Sequence, residues 1–170
     1  MGNKQVLFTE LELQNKVGEL AHNIKKQEHD FPPVFICVLN GAFMFFTDLV
    51  KRMDECEIDF IRAKSYEGIT QSTVKITKSI EIDISRKDVY LVDDIYDTGE
   101  TMKELTNHLK LYNPRSITPV TLFKRWNAKH PDLIYGFELY DEAWLVGYGL
   151  DNEKGLQRNL KHILGIPRED

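Results

Sequence analysis

Residues 87–101, "KDVYLVDDIYDTGET", decide the fold. Positions 89–92 form a continuous apolar run, the composition of a strand buried on both faces. Asp93 and Asp94 follow it directly, Asp97 comes three residues later, and Thr98-Gly99-Glu100-Thr101 leads into a segment with helical character. That segment reaches Tyr112 and is stopped by Asn113-Pro114. Strand, acidic turn and helix make one βα unit. A helix start is served by one acidic cap, whereas three crowded carboxylates repel one another and require a compensating partner. A receiver domain also gathers acids at strand ends, but it takes them from separate strands and has its pair near the N-terminus.

Working outward, the same alternation recurs. Residues 9–27 carry Leu13, Val17, Leu20, Ala21 and Ile24 at helical spacing, with Thr9 and Glu12 as a capping box. After Pro32-Pro33, residues 34–39 are a buried strand, Asn40-Gly41 a turn, and 42–52 a helix. Residues 58–63 and 117–123 are further strands, with shorter candidates at 133–134 and 144–146. In 74–84, Val74, Ile76, Ile80, Ile82 and Ile84 alternate with polar residues, which predicts a half-exposed hairpin. The expectation is one α/β domain with a mainly parallel central sheet flanked by helices.

Composition narrows the function classes. The chain has 170 residues, 42% hydrophobic and 29% charged, which suits a folded globular domain. Its net charge of -5 argues against nucleic-acid binding by bulk electrostatics. Cys37 and Cys56 are the only cysteines, and Cys37 sits in an apolar run as a small core residue. No apolar leader or membrane-length segment occurs, and Val6 spoils a myristoylation pattern at Met1-Gly2, so a cytoplasmic location and no membrane partner are expected. The five histidines show no metal-ligand spacing.

Ligands of open α/β sheets bind beyond the carboxyl ends of the strands. Three such ends carry unusual residues: Leu39-Asn40-Gly41-Ala42, Asp93 to Thr101, and Lys124-Arg125. A parallel sheet brings them to one edge. Backbone N–H groups of 97–101, with the Thr98 and Thr101 hydroxyls, can wrap an anion at the helix start, and Gly99 has no Cβ to obstruct it. Asp93 and Asp94 suit a vicinal diol and Mg²⁺. A phosphate next to a diol describes a ribose 5-phosphate, with Asp97 placed between them for proton transfer.

At these residues the chain resembles the type I phosphoribosyltransferases, whose phosphoribosyl pyrophosphate (PRPP) signature is similar to "VYLVDDIYDTGET". "VLNGAFMFFTDLVKRM", "AKSY", "TLFKR" and "WLVGYGLD" narrow the resemblance to the hypoxanthine-guanine phosphoribosyltransferases, across about 34–151. The resemblance implies a core over about 34–125, a mobile lid over about 65–85, and a small hood built from the N-terminal segment and about 126–170. It implies Mg²⁺-dependent purine salvage, with PRPP and hypoxanthine or guanine as substrates and pyrophosphate and IMP or GMP as products. A homodimer or homotetramer is implied as well, to which Phe43-Met44-Phe45-Phe46 contributes unless it is core.

Residue by residue, the resemblance makes Leu39-Asn40-Gly41 the pyrophosphate loop, with a strained or cis peptide, and Ser65-Tyr66 the start of the lid. Asp93 and Asp94 become ribose and metal ligands, Asp97 the acid/base beside purine N7, and Asp97-Thr98-Gly99-Glu100-Thr101 the 5′-phosphate cradle. Lys124 reads the 6-oxo group, Trp144 stacks on the base, Leu145 contacts its edge, and Asp151 serves the base site and a second Mg²⁺. Two positions depart from the pattern. Asn40 stands where the family carries Lys or Arg, and Arg158, the expected pyrophosphate contact, falls one residue late, with Gly155 marking an insertion. The competing readings are a nucleotide-sensing, RNA-binding regulator of the same fold, which the acidic balance disfavours, and a phosphoribosyltransferase preferring xanthine.

Overall fold

The structure, a computed structural model, describes residues 5–67, 72–140 and 143–166. In chain order the first elements are β1 (Gln5–Phe8), α1 (Glu10–Lys25), β2 (Val34–Leu39) and α2 (Phe43–Val50). Next come β3 (Glu57–Glu67), β4 (Ser72–Lys78), β5 (Asp88–Tyr96) and α3 (Glu100–Lys110). The last four are strands: β6 (Ser116–Arg125), β7 (Ile134–Leu139), β8 (Trp144–Val146) and β9 (Ile163–Ile166).

Side-chain parity in the two central strands builds the core. Phe35 and Cys37 of β2 and Tyr90 and Val92 of β5 join one buried cluster, while Val34, Ile36, Val38, Val89 and Leu91 join the other. This is the pattern of a strand covered on both faces. Helix α1 lays Leu13, Val17, Leu20, Ala21 and Ile24 on the first cluster, beside Phe45, Phe46 and Leu49 of α2. Helix α3 lays Met102, Leu105 and Leu109 on the second. Phe45 and Phe46 are therefore core, and of the Phe43–Phe46 run only Phe43 is exposed. The Thr9–Glu12 capping box is present.

The large sheet has the order β4-β3-β2-β5-β6-β7. All neighbours are parallel except β4, which runs antiparallel to β3 at the edge. The chain leaves β2 through α2 towards β3, and leaves β5 through α3 towards β6. The sheet thus winds in opposite directions from β2 and β5, and the gap between their carboxyl ends is its topological switch point. A small antiparallel sheet, β1-β9-β8, carries Trp144 and Leu145. Among the described residues no helix is long and apolar enough to cross a membrane.

Three sequence expectations need correction. The hairpin is β3 with β4, in which Ala63 pairs with Ile76 and Glu67 with Ser72, and it does not include Ile80, Ile82 and Ile84. The N–H groups of Glu81 and Ile82 instead donate to the Asp59 carboxylate at 2.6 and 3.1 Å, so this segment hangs from β3 as a loop. Ile80 and Ile84 are buried by it, which is why their spacing imitated a strand. Secondly, β5 does not stop at Val92 but runs on to Tyr96. Thirdly, β1 and β9 had no strand signal, being short segments that exist because they pair with each other. Of the expected lid, Ser65 and Tyr66 lie in β3, and residues 68–71 fall outside the described residues.

At the opposite end of β5, Asp88 ties that strand to β6 and to the loops that precede β2 and β6. Its carboxylate accepts from the Arg115 guanidinium and from the Ser116 hydroxyl at 2.6 Å, and lies 2.8 Å from His29 Nδ1. The Arg115 hydrogen bond above all holds the Asp88 carboxyl far below its ordinary range, with Ser116 and His29 adding to the effect against the cost of burial. A depressed folded-state pKa gives stability that is present above the unfolded value, about 3.9, and lost as pH falls through the folded value. Asp88→Asn is accordingly expected to lower urea stability at pH 7 by about 1–3 kcal/mol, and by progressively less below about pH 4. A variant whose deficit stays constant from pH 7 to pH 2.5 in urea titrations contradicts this account of Asp88.

Candidate active site at the switch point

Register places the acidic pair at the mouth of the switch point. Pairing of β2 with β5 ends at Cys37–Val92, whereas β5 keeps pairing with β6 through Asp93–Thr121, Ile95–Phe123 and Tyr96–Lys124. Asp93 and Asp94 are therefore anchored on one flank and open on the other towards Leu39-Asn40-Gly41. The Leu39–Asn40 peptide bond is cis. Gly41 lies so close to Asp94 that a Cβ there would overlap its carboxyl group. Gly149, at φ +104°, lies against the Gly41 carbonyl in turn. Only glycine allows these two approaches.

The acids are half-buried and short of positive charge. Asp94 N–H donates to Asp93 Oδ1 at 2.9 Å, and Ile95 N–H to Asp94 Oδ1 at 2.6 Å. Burial, then the charge of Asp94, pushes the Asp93 carboxyl well above its ordinary range. Burial also raises Asp94, although the Ile95 N–H, Asp93 and the positive charge of Arg158 oppose it. The same acids, after burial, help push the Cys37 thiol up to about 12, which leaves it a core residue rather than a nucleophile. Two hard oxygen donors with unmatched charge fit a divalent cation. Among the described residues no three His, Cys, Asp or Glu side chains gather as a ready-made metal cage. The pair Asp93 and Asp94 suits Mg²⁺, which takes one or two carboxylates and completes its shell with water and phosphate oxygens.

Beyond the acids, residues 97–99 turn into α3. Gly99 is the N-cap at φ +83°, and a Cβ there would strike the Tyr96 ring. Gly99 brings no capping side chain of its own, in contrast to Thr9 on α1, and the Thr98 hydroxyl accepts from the Glu100 N–H at 3.4 Å. Asp93, Asp94, Asp97, Thr98, Gly99 and Thr101 line a hollow of about 200 Å³ over this helix start. A helix N-terminus that starts on a glycine and is walled by two threonine hydroxyls is suited to an anion.

Across the crevice stands the turn after β8. Arg158 donates to the Gly149 carbonyl at 2.7 Å and pairs with Asp151 at 2.6 Å. Trp144 Nε1 donates to the Asp151 carbonyl at 3.2 Å, while its ring is 46% exposed beside the buried Leu145. The geometry thus joins Gly41, Asp94, Gly149, Arg158, Asp151 and Trp144 in one chain of contacts. Lys124 is not joined to it. It is buried, pairs with Glu138 at 2.6 Å, donates to the Ala128 carbonyl at 3.2 Å, and lies over the Tyr135 ring. Sequence reasoning missed Gly149, Glu138 and Thr121. The Gly147-Tyr148-Gly149 run was a signal for the first. The other two emerge only from register: Glu138 opposes Lys124, and Thr121, opposite Asp93, has a buried hydroxyl with no hydrogen-bond partner among the described residues.

Comparison with known proteins agrees with this geometry. Residues 8–153 match the phosphoribosyl transferase domain family. A hypoxanthine-guanine phosphoribosyltransferase of Staphylococcus aureus (strain Mu50) is 39% identical over 166 residues, 94% of this chain and 92% of that one. The crystal structure of a Bacillus anthracis hypoxanthine-guanine phosphoribosyltransferase superposes with a TM-score of 0.88 at 33% identity, covering 98% of this chain and 100% of its own. That of a Staphylococcus aureus hypoxanthine phosphoribosyltransferase gives 0.87 at 37% identity, with 96% and 91% covered. A sheet that opens at β2 and β5, an acidic pair at that opening and a helix started on Gly99 beside it accompany this likeness: the chain belongs to the phosphoribosyltransferase family, among its hypoxanthine-guanine enzymes.

Proposed function

We propose that the chain transfers the ribose 5-phosphate of PRPP to N9 of hypoxanthine or guanine, giving IMP or GMP and pyrophosphate. The observation that carries this reading is the adjacency of the acidic pair, the Gly41 loop and the α3 start at Gly99 within one crevice. The α3 start, with Thr98 to Thr101, takes the 5′-phosphate. Asp93 and Asp94 take the ribose hydroxyls. The Leu39-Asn40-Gly41 backbone and Arg158 take the pyrophosphate; at Asn40 the backbone replaces the cationic side chain found in the family. Asp93 or Asp94 would hold one Mg²⁺ and Asp151 a second, and the metal would supply positive charge to the leaving group.

In the reaction the C1–O bond to pyrophosphate breaks and a C1–N9 bond forms. The sugar passes through a cationic state that the carboxylates favour electrostatically. Asp97 accepts the proton that the purine loses at N7. Trp144 stacks on the base, Leu145 meets its edge and Lys124 donates to the 6-oxo group, so that orientation lowers the barrier. The β3–β4 hairpin, from Ser65-Tyr66 onward, closes over the site and excludes water that would hydrolyse PRPP. The small sheet and the turn after it form the hood over the base.

Initial rates with PRPP and hypoxanthine, guanine, xanthine, adenine or uracil test the reading. Turnover of hypoxanthine or guanine is expected, xanthine in first place changes the base assignment, and turnover of none sinks the enzymatic reading. Asp97→Asn is expected to lower kcat about 100-fold or more while the KM for PRPP changes little. Equal turnover in that variant removes Asp97 from proton transfer. Gly99→Ala forces an alanine into a left-handed conformation against Tyr96, so urea stability is expected to fall by about 1–3 kcal/mol. The KM for PRPP is expected to rise about ten-fold in the same variant, and unchanged PRPP kinetics remove the helix start from phosphate binding.

A further inference from the structure

The ion pair between Lys124 and Glu138 has no part in the sugar or phosphate contacts, and Lys124 is the residue that the proposed function assigns to the 6-oxo group. The two residues are direct neighbours across the β6–β7 ladder. Lys124 is 8% exposed, so its ammonium needs fixed partners in place of water. Glu138 Oε1 at 2.6 Å and the Ala128 carbonyl at 3.2 Å take two of its three N–H groups, and the Tyr135 ring lies 5.0 Å below. One N–H is left for a substrate acceptor. Glu138 is itself held, because the Tyr140 hydroxyl donates to Oε2 at 2.9 Å. Both carboxylate oxygens are therefore engaged.

We propose that Glu138, held by Tyr140, is the positioning residue that fixes the Lys124 ammonium for recognition of a 6-oxo purine and keeps a competing acceptor away from that edge of the base. The proposal rests on the assignment of Lys124 to the purine. A free lysine side chain samples many rotamers, and clamping it in advance spares the substrate that ordering cost. The clamp also serves selectivity. Adenine presents an amino donor where hypoxanthine presents an oxygen, and a fixed ammonium offers it only further donors. A free carboxylate at Glu138 would welcome that amino group, and the hydrogen bonds from Lys124 and Tyr140 already engage one acceptor position on each of its oxygens. A site built around a buried hydrogen-bonding group discriminates more strongly than one that only measures size.

The test uses Glu138→Gln in the full chain, with the parent enzyme assayed alongside. The KM for hypoxanthine is expected to rise about ten-fold, the equivalent of one well-placed charge-assisted hydrogen bond, with kcat and the KM for PRPP within about two-fold of the parent. Inhibition by unsubstituted purine, which has no 6-oxo group, is expected to stay unchanged, and Glu138→Asp is expected to recover part of the loss. Should Glu138→Gln fail to fold, Tyr140→Phe keeps the ion pair and loosens only its far end, for an expected rise in hypoxanthine KM of about three-fold. A hypoxanthine KM unchanged in a folded variant, or a rise matched by weaker binding of unsubstituted purine, overturns the proposal and leaves the transferase reading intact. A parent enzyme without turnover on any base overturns both.

Discussion

The close approach of Gly41 to Asp94 is the contact on which the site depends. Two parallel strands that diverge at the switch point leave a crevice, but a crevice does not by itself set distances between ligand groups. Here the spacing is set by atoms that touch: the Asp94 carboxyl against Gly41, and Gly149 against the Gly41 carbonyl. Any side chain at either glycine would wedge the three segments apart. The site is therefore as rigid as the packing of its backbone, and backbone packing transmits displacement poorly tolerated by a close-packed interior. Tyr148, between the two glycines of the turn, extends this constraint by donating to Asp48 on α2 at 2.7 Å.

The electrostatics follow from that geometry. Adjacent acids on a strand point alternately, so one flat strand would separate Asp93 from Asp94. Each instead lies on the N–H of the residue after it, and burial keeps both carboxyls reluctant to ionise together. A pair in this condition is poised to accept positive charge. In a chain of net charge -5 the local cation is Arg158, and a bound divalent ion would act on the same deficit.

The sequence shows most of the fold because the two central strands are buried on both faces, and that condition leaves an unbroken apolar run that no loop imitates. Helix α1 was equally legible, since its capping box and apolar stripe agree with each other. The Ile80-Ile82-Ile84 stripe misled because alternation records burial, and a loop hung on the Asp59 carboxylate buries alternate residues as well as a strand does. β5 was read as ending at Val92 for a related reason: polar residues usually end a buried strand, whereas here hydrogen bonding to β6 continues under the acids. In the site, the residues that meet through strand ends were legible, and those that meet through register were not. Nothing local in Glu138 or Thr121 announces Lys124 or Asp93 opposite, because the partner is set by how two strands align.

Arg158 shows how a departure in spacing is absorbed. It falls one residue later than the family pattern. The turn that precedes it takes up the extra residue: the Asn152 side chain accepts from the N–H groups of Lys154 and Leu156, and Gly155 N–H donates to the Asn152 carbonyl. Gly155 at φ +73° and Gln157 at φ +72° reverse the chain twice within three residues. Space does not demand glycine at 155, where a Cβ would meet nothing, so the conformation does. The chain then re-enters its path with Gly149 N–H donating to the Arg158 carbonyl at 2.9 Å, and the guanidinium returns to the Gly149 carbonyl and Asp151. The cation thereby pairs with Asp151 and its charge reaches Asp94. What fixes a charged group in such a site is the last backbone contact before it, and linear spacing is a guide only while the intervening turn has no slack.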